Sequence, residues 1–260
     1  MRRTLATLAV AALLVTAGCS AFGGGGTDAT TTSPPAGDAG DPVYETPLNA
    51  SAVADEHLAA LEAAGSYTVE STAVSESSAR NATRETNTVI RGDLGSGAVF
   101  TRTAARQQVV EGYAFANGTG YQRFEMPDQT RYVNATGRLG NASQYARGTV
   151  ASFVGLFEFS YAGTTTENGQ TVHVYEAEGA SSLNTSAPAF ASLNESNVKA
   201  ANATLHVRSD GVVVLASYDI TVSLRGNTQR VDATQRFTNV GSTDVSPPAW
   251  IPEARANVTA

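Results

Sequence analysis

The sequence predicts an α+β fold: an antiparallel sheet packed on two helices, following a disordered N-terminal tether. Three observations predict it. Asn117-Gly118, Asn168-Gly169 and Asp210-Gly211 each stand between two runs of β-forming residues. Asn-Gly and Asp-Gly are favoured as two-residue hairpin turns because both central residues accept positive φ. The flanking runs are apolar on one side only, as in an antiparallel sheet with one wet face. Two other segments, about 49–64 and 141–157, carry helical spacing instead.

The chain opens with Arg2-Arg3, an apolar run from Leu5 to Val15, and then Thr16-Ala17-Gly18-Cys19. Charged, apolar and small-residue regions in that order read as a secretory signal over residues 1–18. The apolar run is too short for a spanning helix, which needs roughly 20 residues; an uncleaved N-terminal anchor is the alternative. Arg2-Arg3 also fits a twin-arginine signal loosely, so the export route stays open. The ending resembles a lipobox, which implies that the Cys19 thiol carries a lipid and becomes the first mature residue. One lipid chain binds membranes only marginally, so a second chain or the envelope lattice is expected to assist.

Cys19 is the single cysteine, so there is no disulfide framework and no thiolate metal site. Residues 19–47 run through Gly23–Gly26, Thr30-Thr31-Thr32-Ser33-Pro34-Pro35 and Pro47 and read as a flexible, lipidated tether. Residues 48–260 then form one domain, long enough for a single sizeable core.

The first helix, 49–64, has Asn49 or Ser51 to cap it, Asp55 and Glu56 near its positive end, and Gly65 to close it. Val53, Leu58, Leu61 and Ala64 are its apolar face. Tyr67–Glu70, Thr88–Arg91 and Ala98–Thr101 read as strands. If Asn117-Gly118 is a two-residue turn, Phe115 faces Gly120 and Tyr113 faces Gln122. Tyr113, Phe115, Phe124 and Met126 then share one face; Ala114, Tyr121 and Arg123 share the other. The same rule at Asp210-Gly211 gathers Leu205, Val207, Val214, Ala216, Ile220, Val222 and Leu224. The second helix, 141–157, carries Tyr145, Val150, Phe153, Val154, Leu156 and Phe157 and should lie buried against the sheet. Ser181–Lys199 is a polar insertion, read as a loop or lid. The ending Pro247-Pro248-Ala249-Trp250-Ile251-Pro252 reads as an extended tail that docks the tryptophan ring.

The formal net charge is −7, and loss of residues 1–18 makes it two units more negative. Lys199 is the only lysine. An acidic chain that avoids lysine suits a high-salt protein; a GC-rich genome with an ordinary acidic surface is the alternative. Negative charge argues against nucleic acid as a partner. Asn-x-Ser/Thr sites fall at Asn49, Asn81, Asn117, Asn134, Asn141, Asn184, Asn194, Asn202 and Asn257. In an exported protein each is a candidate N-glycan acceptor; the bland reading is that Asn and Thr both favour turns.

Catalytic signals are weak. His173 and His206 alternate with polar residues, which reads them as surface side chains, and His57 sits beside Glu56 on the first helix. No His-x-His or His-Glu-x-x-His spacing occurs, and no Gly-x-Ser-x-Gly elbow. Gly23–Gly26 lacks the Lys-Ser/Thr of a phosphate loop. Glu111, Glu125, Asp219 and Asp232 are scattered over strands and read as solvated acids rather than as a glycosidase pair. No enzyme, no cofactor and no metal is expected.

The order of parts, from lipobox and Gly/Thr/Pro tether through strands and an apolar helix to a Pro-x-Trp ending, resembles a haloarchaeal lipoprotein family without an assigned activity. More remotely it resembles the half-barrel lipoproteins of the LolA and LppX/LprG type. That likeness implies a strongly curved, half-barrel-like sheet wrapping apolar helices around a cavity for acyl chains. On that implication Tyr113, Phe115, Phe124, Met126, Phe153, Leu156 and Phe157 would line the cavity; a filled core is the other reading of the same residues. The expected function is a lipid-anchored, non-catalytic protein on the outer face of the cytoplasmic membrane that binds a hydrophobic or lipid ligand. The alternative is a structural or protein-interaction component of the envelope with no small ligand.

Overall fold

Strand pairing between the two ends of the chain organises the fold. The computed structural model describes residues 40–190 and 193–258. Cys19, the signal segment and most of the tether lie outside them. In chain order the elements are α1 (Ala50–Ala64), β1 (Ser66–Ser77), β2 (Ala82–Asp93), β3 (Val99–Ala105), β4 (Gln108–Ala114), β5 (Gly120–Met126) and β6 (Gln129–Asn134). Then come α2 (Ala142–Val154), β7 (Ser160–Glu167), β8 (Gln170–Glu178), β9 (Val198–Arg208), β10 (Val213–Leu224), β11 (Asn227–Thr238) and α3 (Ile251–Asn257). The strands make one open sheet of eleven, ordered β6-β5-β4-β3-β2-β1-β11-β10-β9-β8-β7. Every neighbour is antiparallel. β1–β6 meander outward from the centre, α2 crosses back, and β7–β11 meander inward until β11 pairs with β1. This is the curved antiparallel sheet over helices that the sequence predicts.

The helix ends follow their cap chemistry. Asn49 accepts hydrogen bonds from the N–H groups of Ser51 and Ala52, and Gly65 closes α1 at φ 89°. Asn141 and Gln144 make a reciprocal capping box at the start of α2. Asp55 lies past the first turn of α1, so it does not serve the helix end; it pairs with Arg147 of α2 at 2.6 Å. α2 stops at Val154, three residues short of the predicted end, because Gly155 caps it; Leu156 and Phe157 follow outside the helix. The C-terminal ending is not wholly extended: residues after Trp250 form α3.

Tyr67 sets the helices on the sheet. Its ring lies over Gly92, where an added Cβ would sit 2.5 Å from the ring. Its hydroxyl donates to Ala142 O at 2.6 Å, which fixes the start of α2. The inner face under α1 and α2 carries Val69, Ile90, Val99, Ala216, Ile220, Val222 and Phe237, all buried.

Two predicted registers change. At Asn117-Gly118 the loop has three residues: Phe115 N–H donates to Thr119 O at 2.8 Å and Gly118 N–H to Phe115 O at 2.9 Å. Gly118 takes φ 79°, the single left-handed residue of a type I turn with a bulge. Tyr113 therefore faces Tyr121 and Val110 faces Phe124. A one-residue slip moves side chains to the opposite face, so Tyr113 and Phe115 lie on the outer face and Phe124 and Met126 on the inner one. Asp210-Gly211 also closes a three-residue loop, with Val207 opposite Val213. A bulge before Leu215 then restores the expected pairing, so Leu205 meets Ala216. Val213 takes the buried place expected of Val214. Asn168-Gly169 is the two-residue turn predicted, with Glu167 opposite Gln170.

Residues 40–47, assigned to the tether from sequence, pack on the domain. Tyr44 is 7% exposed. Its N–H donates to the Tyr175 hydroxyl at 2.7 Å and its own hydroxyl to Gly211 O at 3.0 Å. The Ser181–Lys199 insertion is docked as well. Glu158 N–H donates to Ser182 O, Asn184 N–H donates to Leu156 O, and Leu183 and Phe190 are buried.

Candidate functional site

Aromatic side chains from four segments converge on the inner face. Phe153 comes from the last turns of α2, Phe157 and Phe159 from the stretch after it, Tyr218 from β10, and Phe190 from the insertion. Ring centroids lie 6.1 Å apart for Phe153–Tyr218, 5.7 Å for Phe157–Tyr218 and 6.4 Å for Phe157–Phe190. Phe159 sits 5.9 Å from both Phe153 and Phe157. Such tilted contacts suit aromatic quadrupoles.

Polar groups without partners lie on the same face. Tyr218 is paired across the sheet with Ala233, and Gln235 with Ala216 and Ser71. Tyr218 and Gln235 are thus diagonal neighbours pointing the same way. The Tyr218 hydroxyl and both polar atoms of Gln235 are buried with no hydrogen-bond partner among the described residues. Burial holds the Tyr218 hydroxyl well above the ordinary phenol range. His57 reaches the adjacent row from α1, its ring 4.4 Å from Phe237 and edge-on to it. Its Nδ1 accepts from Val213 N–H at 3.1 Å, which places the ring proton on Nε2; that atom is buried and unpartnered. Burial pushes the His57 pKa down to about 3, so the ring is neutral. Leaving a polar group buried and unpaired costs about 1–3 kcal/mol each. Three such side chains on one face mark a place where hydrogen bonds are on offer.

The sequence-predicted lining residues fall into three places. Phe153, Leu156 and Phe157 meet in the inner core. Phe124 is half-buried and Met126 36% exposed, on the inner face beyond the helices. Tyr113 and Phe115 lie on the outer face beneath the C-terminal segment, with Trp250, Ile251 and Ala254. The structure does not bring the seven together. The sequence analysis missed Tyr218, Phe159, Phe190, His57 and Gln235. Tyr218 shares the parity of Ala216, Ile220 and Val222, which could have found it; Gln235 stands in a polar stretch and carried no signal.

Two of the three histidines are not surface groups, and His206 is half-buried. His57 is fully buried and His173 is 8% exposed, facing the core beside Tyr175 because β8 is covered on both sides. His173 Nδ1 lies 3.2 Å from the Tyr161 hydroxyl and Nε2 3.3 Å from Ser209 Oγ. Tyr161 in turn donates to Gly40 O, so this chain of contacts fastens the N-terminal segment. His206 Nδ1 meets Glu167 at 2.7 Å. Among the described residues no group of three or more His, Cys, Asp or Glu side chains is placed to hold a metal. None of their helices is long and apolar enough to cross a membrane. Eight of the nine sequon asparagines are exposed; Asn184 is half-buried and donates to Gly155 O at 2.9 Å.

Among solved structures, LprF from Mycobacterium bovis is similar at 12% identity and TM-score 0.38, over 77% of this chain and 97% of that one. LppX from Mycobacterium tuberculosis is similar at 14% identity and TM-score 0.29, over 76% and 98%. A putative outer membrane lipoprotein-sorting protein domain from Vibrio parahaemolyticus is similar at 13% identity and TM-score 0.29, over 73% and 94%. No curated protein sequence matches the chain. A family model described as a family of unknown function matches residues 4–254.

Proposed function

We propose that this chain, which belongs to the DUF7537 family of unknown function, is a non-catalytic binding protein for a hydrophobic or lipid ligand held between its sheet and its helices. One observation carries the reading. Tyr218, whose buried hydroxyl has no partner among the described residues, packs its ring on Phe153 and Phe157 in an aromatic cluster formed by α2, the stretch after it, β10 and the Ser181–Lys199 insertion. Ligand sites are mostly apolar, with a few convergent polar groups that fix orientation. The insertion serves as the cover, because Phe190 and Leu183 close over that cluster.

A lipid on Cys19 tethers the protein to the outer face of the cytoplasmic membrane in this reading. Support comes from the apolar run ending in Ala17-Gly18-Cys19. Replacing Cys19 by Ser should move the protein from the membrane fraction to the soluble fraction; equal retention would remove the anchor.

Binding is tested with Nile red, an uncharged dye whose emission shifts to the blue in apolar surroundings. The Cys19→Ser chain should bind it saturably, near one dye per chain, and Tyr218→Ala should weaken binding several-fold. No saturable binding by the folded chain would contradict the reading.

A further inference from the structure

The polar groups under the helices carry a chemical signature that narrows the ligand. One cross-strand row of the inner face runs Ala216, Gln235, Ser71, Thr88, Thr103 and Val110, each opposite the next. Its polar members are an amide and three hydroxyls. Thr88 and Thr103 satisfy each other at 3.2 Å. Gln235 remains with one donor group and one acceptor free, and Tyr218 with a hydroxyl that can do either. No Asp, Glu, Lys or Arg is buried among the described residues. By register the inner-face strand cations are Arg131, opposite Phe124 at one end of this row, and Arg84, which lies off the row opposite Ser75, four residues along β1 from Ser71. Both are exposed.

Resting on the binding reading above, we infer that the ligand group reaching Tyr218 and Gln235 is uncharged and hydrogen-bonding, such as an alcohol, ester or amide, and is neither a carboxylate nor a phosphate. A hydroxyl both donates and accepts, so it can satisfy Gln235 and Tyr218 together. An anion there would lose its water and find no cation in exchange, and burying an unpaired charge is far more costly than burying a paired dipole. A neutral head of this kind removes the cost of the unpartnered groups instead of adding to it.

The test compares ligands that differ only in the head. 1-Hexadecanol, palmitate and hexadecyl phosphate, delivered from phosphatidylcholine vesicles at pH 8, compete with Nile red for the Cys19→Ser chain. The alcohol should compete at least tenfold more strongly than either anion. The paired substitution Tyr218→Phe with Gln235→Leu should cut that preference to below threefold, each ligand being compared on the same variant. The comparison on the unsubstituted chain stands even if the double variant does not fold. Anions that compete equally or better would overturn the inference while leaving the binding reading intact, and would direct attention to Arg84 and Arg131. Absence of competition by all three, with Nile red still bound, would also overturn it. Failure of Nile red itself to bind would sink both.

Discussion

Trp250 donates its indole N–H to Glu111 at 2.7 Å, across the outer face of the sheet. Glu111 also meets Arg123 at 3.1 Å and Arg102 at 3.6 Å, so one carboxylate joins β3, β4 and β5 to the C-terminal segment. The ring stacks on Tyr132, and Arg255 of α3 lies 5.2 Å from the Phe115 ring. This contact explains why Tyr113 and Phe115 are covered without belonging to the inner core.

Loss of that bond should therefore loosen the ending and not the helices. Trp250→Phe leaves a smaller aromatic ring and removes the donor to a charged acceptor, and loss of that bond alone should cost about 1.5–3 kcal/mol. Thermal unfolding measures it, and hydrogen exchange should rise in α3 and β6 while α1 and α2 stay protected. An unchanged melting temperature would show that the bond contributes nothing.

Gly92 should resist substitution for a local reason. A Cβ at this position would stand 2.5 Å from the Tyr67 ring, so Gly92→Ala must displace a side chain that is wholly buried. Overpacking of this kind costs about 1–3 kcal/mol. Tyr67→Phe, which keeps the ring and loses the bond to Ala142 O, should cost less. Chemical denaturation of both variants checks the order.

Acid should destabilise the domain through His57. Its folded pKa is pushed down to about 3, below the ordinary value of 6.5. Below pH 6.5 the unfolded chain takes up a proton that the folded chain refuses, so stability is full above that value and falls as pH drops toward 3. At pH 5 the contribution is a loss of about 2 kcal/mol. His57→Leu should be less stable at pH 7.5, yet lose about 2 kcal/mol less between pH 7.5 and pH 5. Parallel pH profiles for the two proteins would contradict this account.

Salt should stabilise the protein. A formal charge of −7 with a single lysine leaves surface carboxylates repelling one another in dilute buffer. The Debye length falls from about 10 Å at 0.1 M to about 3 Å at 1 M. The melting temperature should be higher in molar potassium chloride, with most of the rise complete by about 1 M. A melting temperature that does not move would show that the acidity is no stability liability.

Local chemistry was readable in the sequence where one residue decides one geometry. Asn49 capped the start of α1 and Gly65 closed its end in the left-handed conformation that glycine allows, and the alternation in β9 and β10 showed which side is buried. Features set by distant residues were not readable. The turn at Asn117-Gly118 took three residues instead of two, and that single residue sent Tyr113 and Phe115 to the outer face. β11 reads Asn227-Thr-Gln-Arg-Val-Asp-Ala-Thr-Gln-Arg-Phe-Thr238, with too few apolar residues to announce a central strand. It is central because β1 and β10 flank it. His173 alternates with polar residues, yet it is buried because residues 40–48 lie over β8. Gln235 and Tyr218 were invisible as a pair because the register of β10 against β11 is what makes them neighbours.

The most direct test of the central claim is native mass spectrometry of the Cys19→Ser chain purified without detergent, before and after organic extraction. The account predicts a population heavier than the bare chain by the mass of one hydrophobic molecule. Extraction should remove that mass, and Tyr218→Ala should deplete it. A spectrum showing only the bare chain, from protein that is folded and has taken up no added lipid, would contradict the claim and favour an envelope-interaction role without a small ligand.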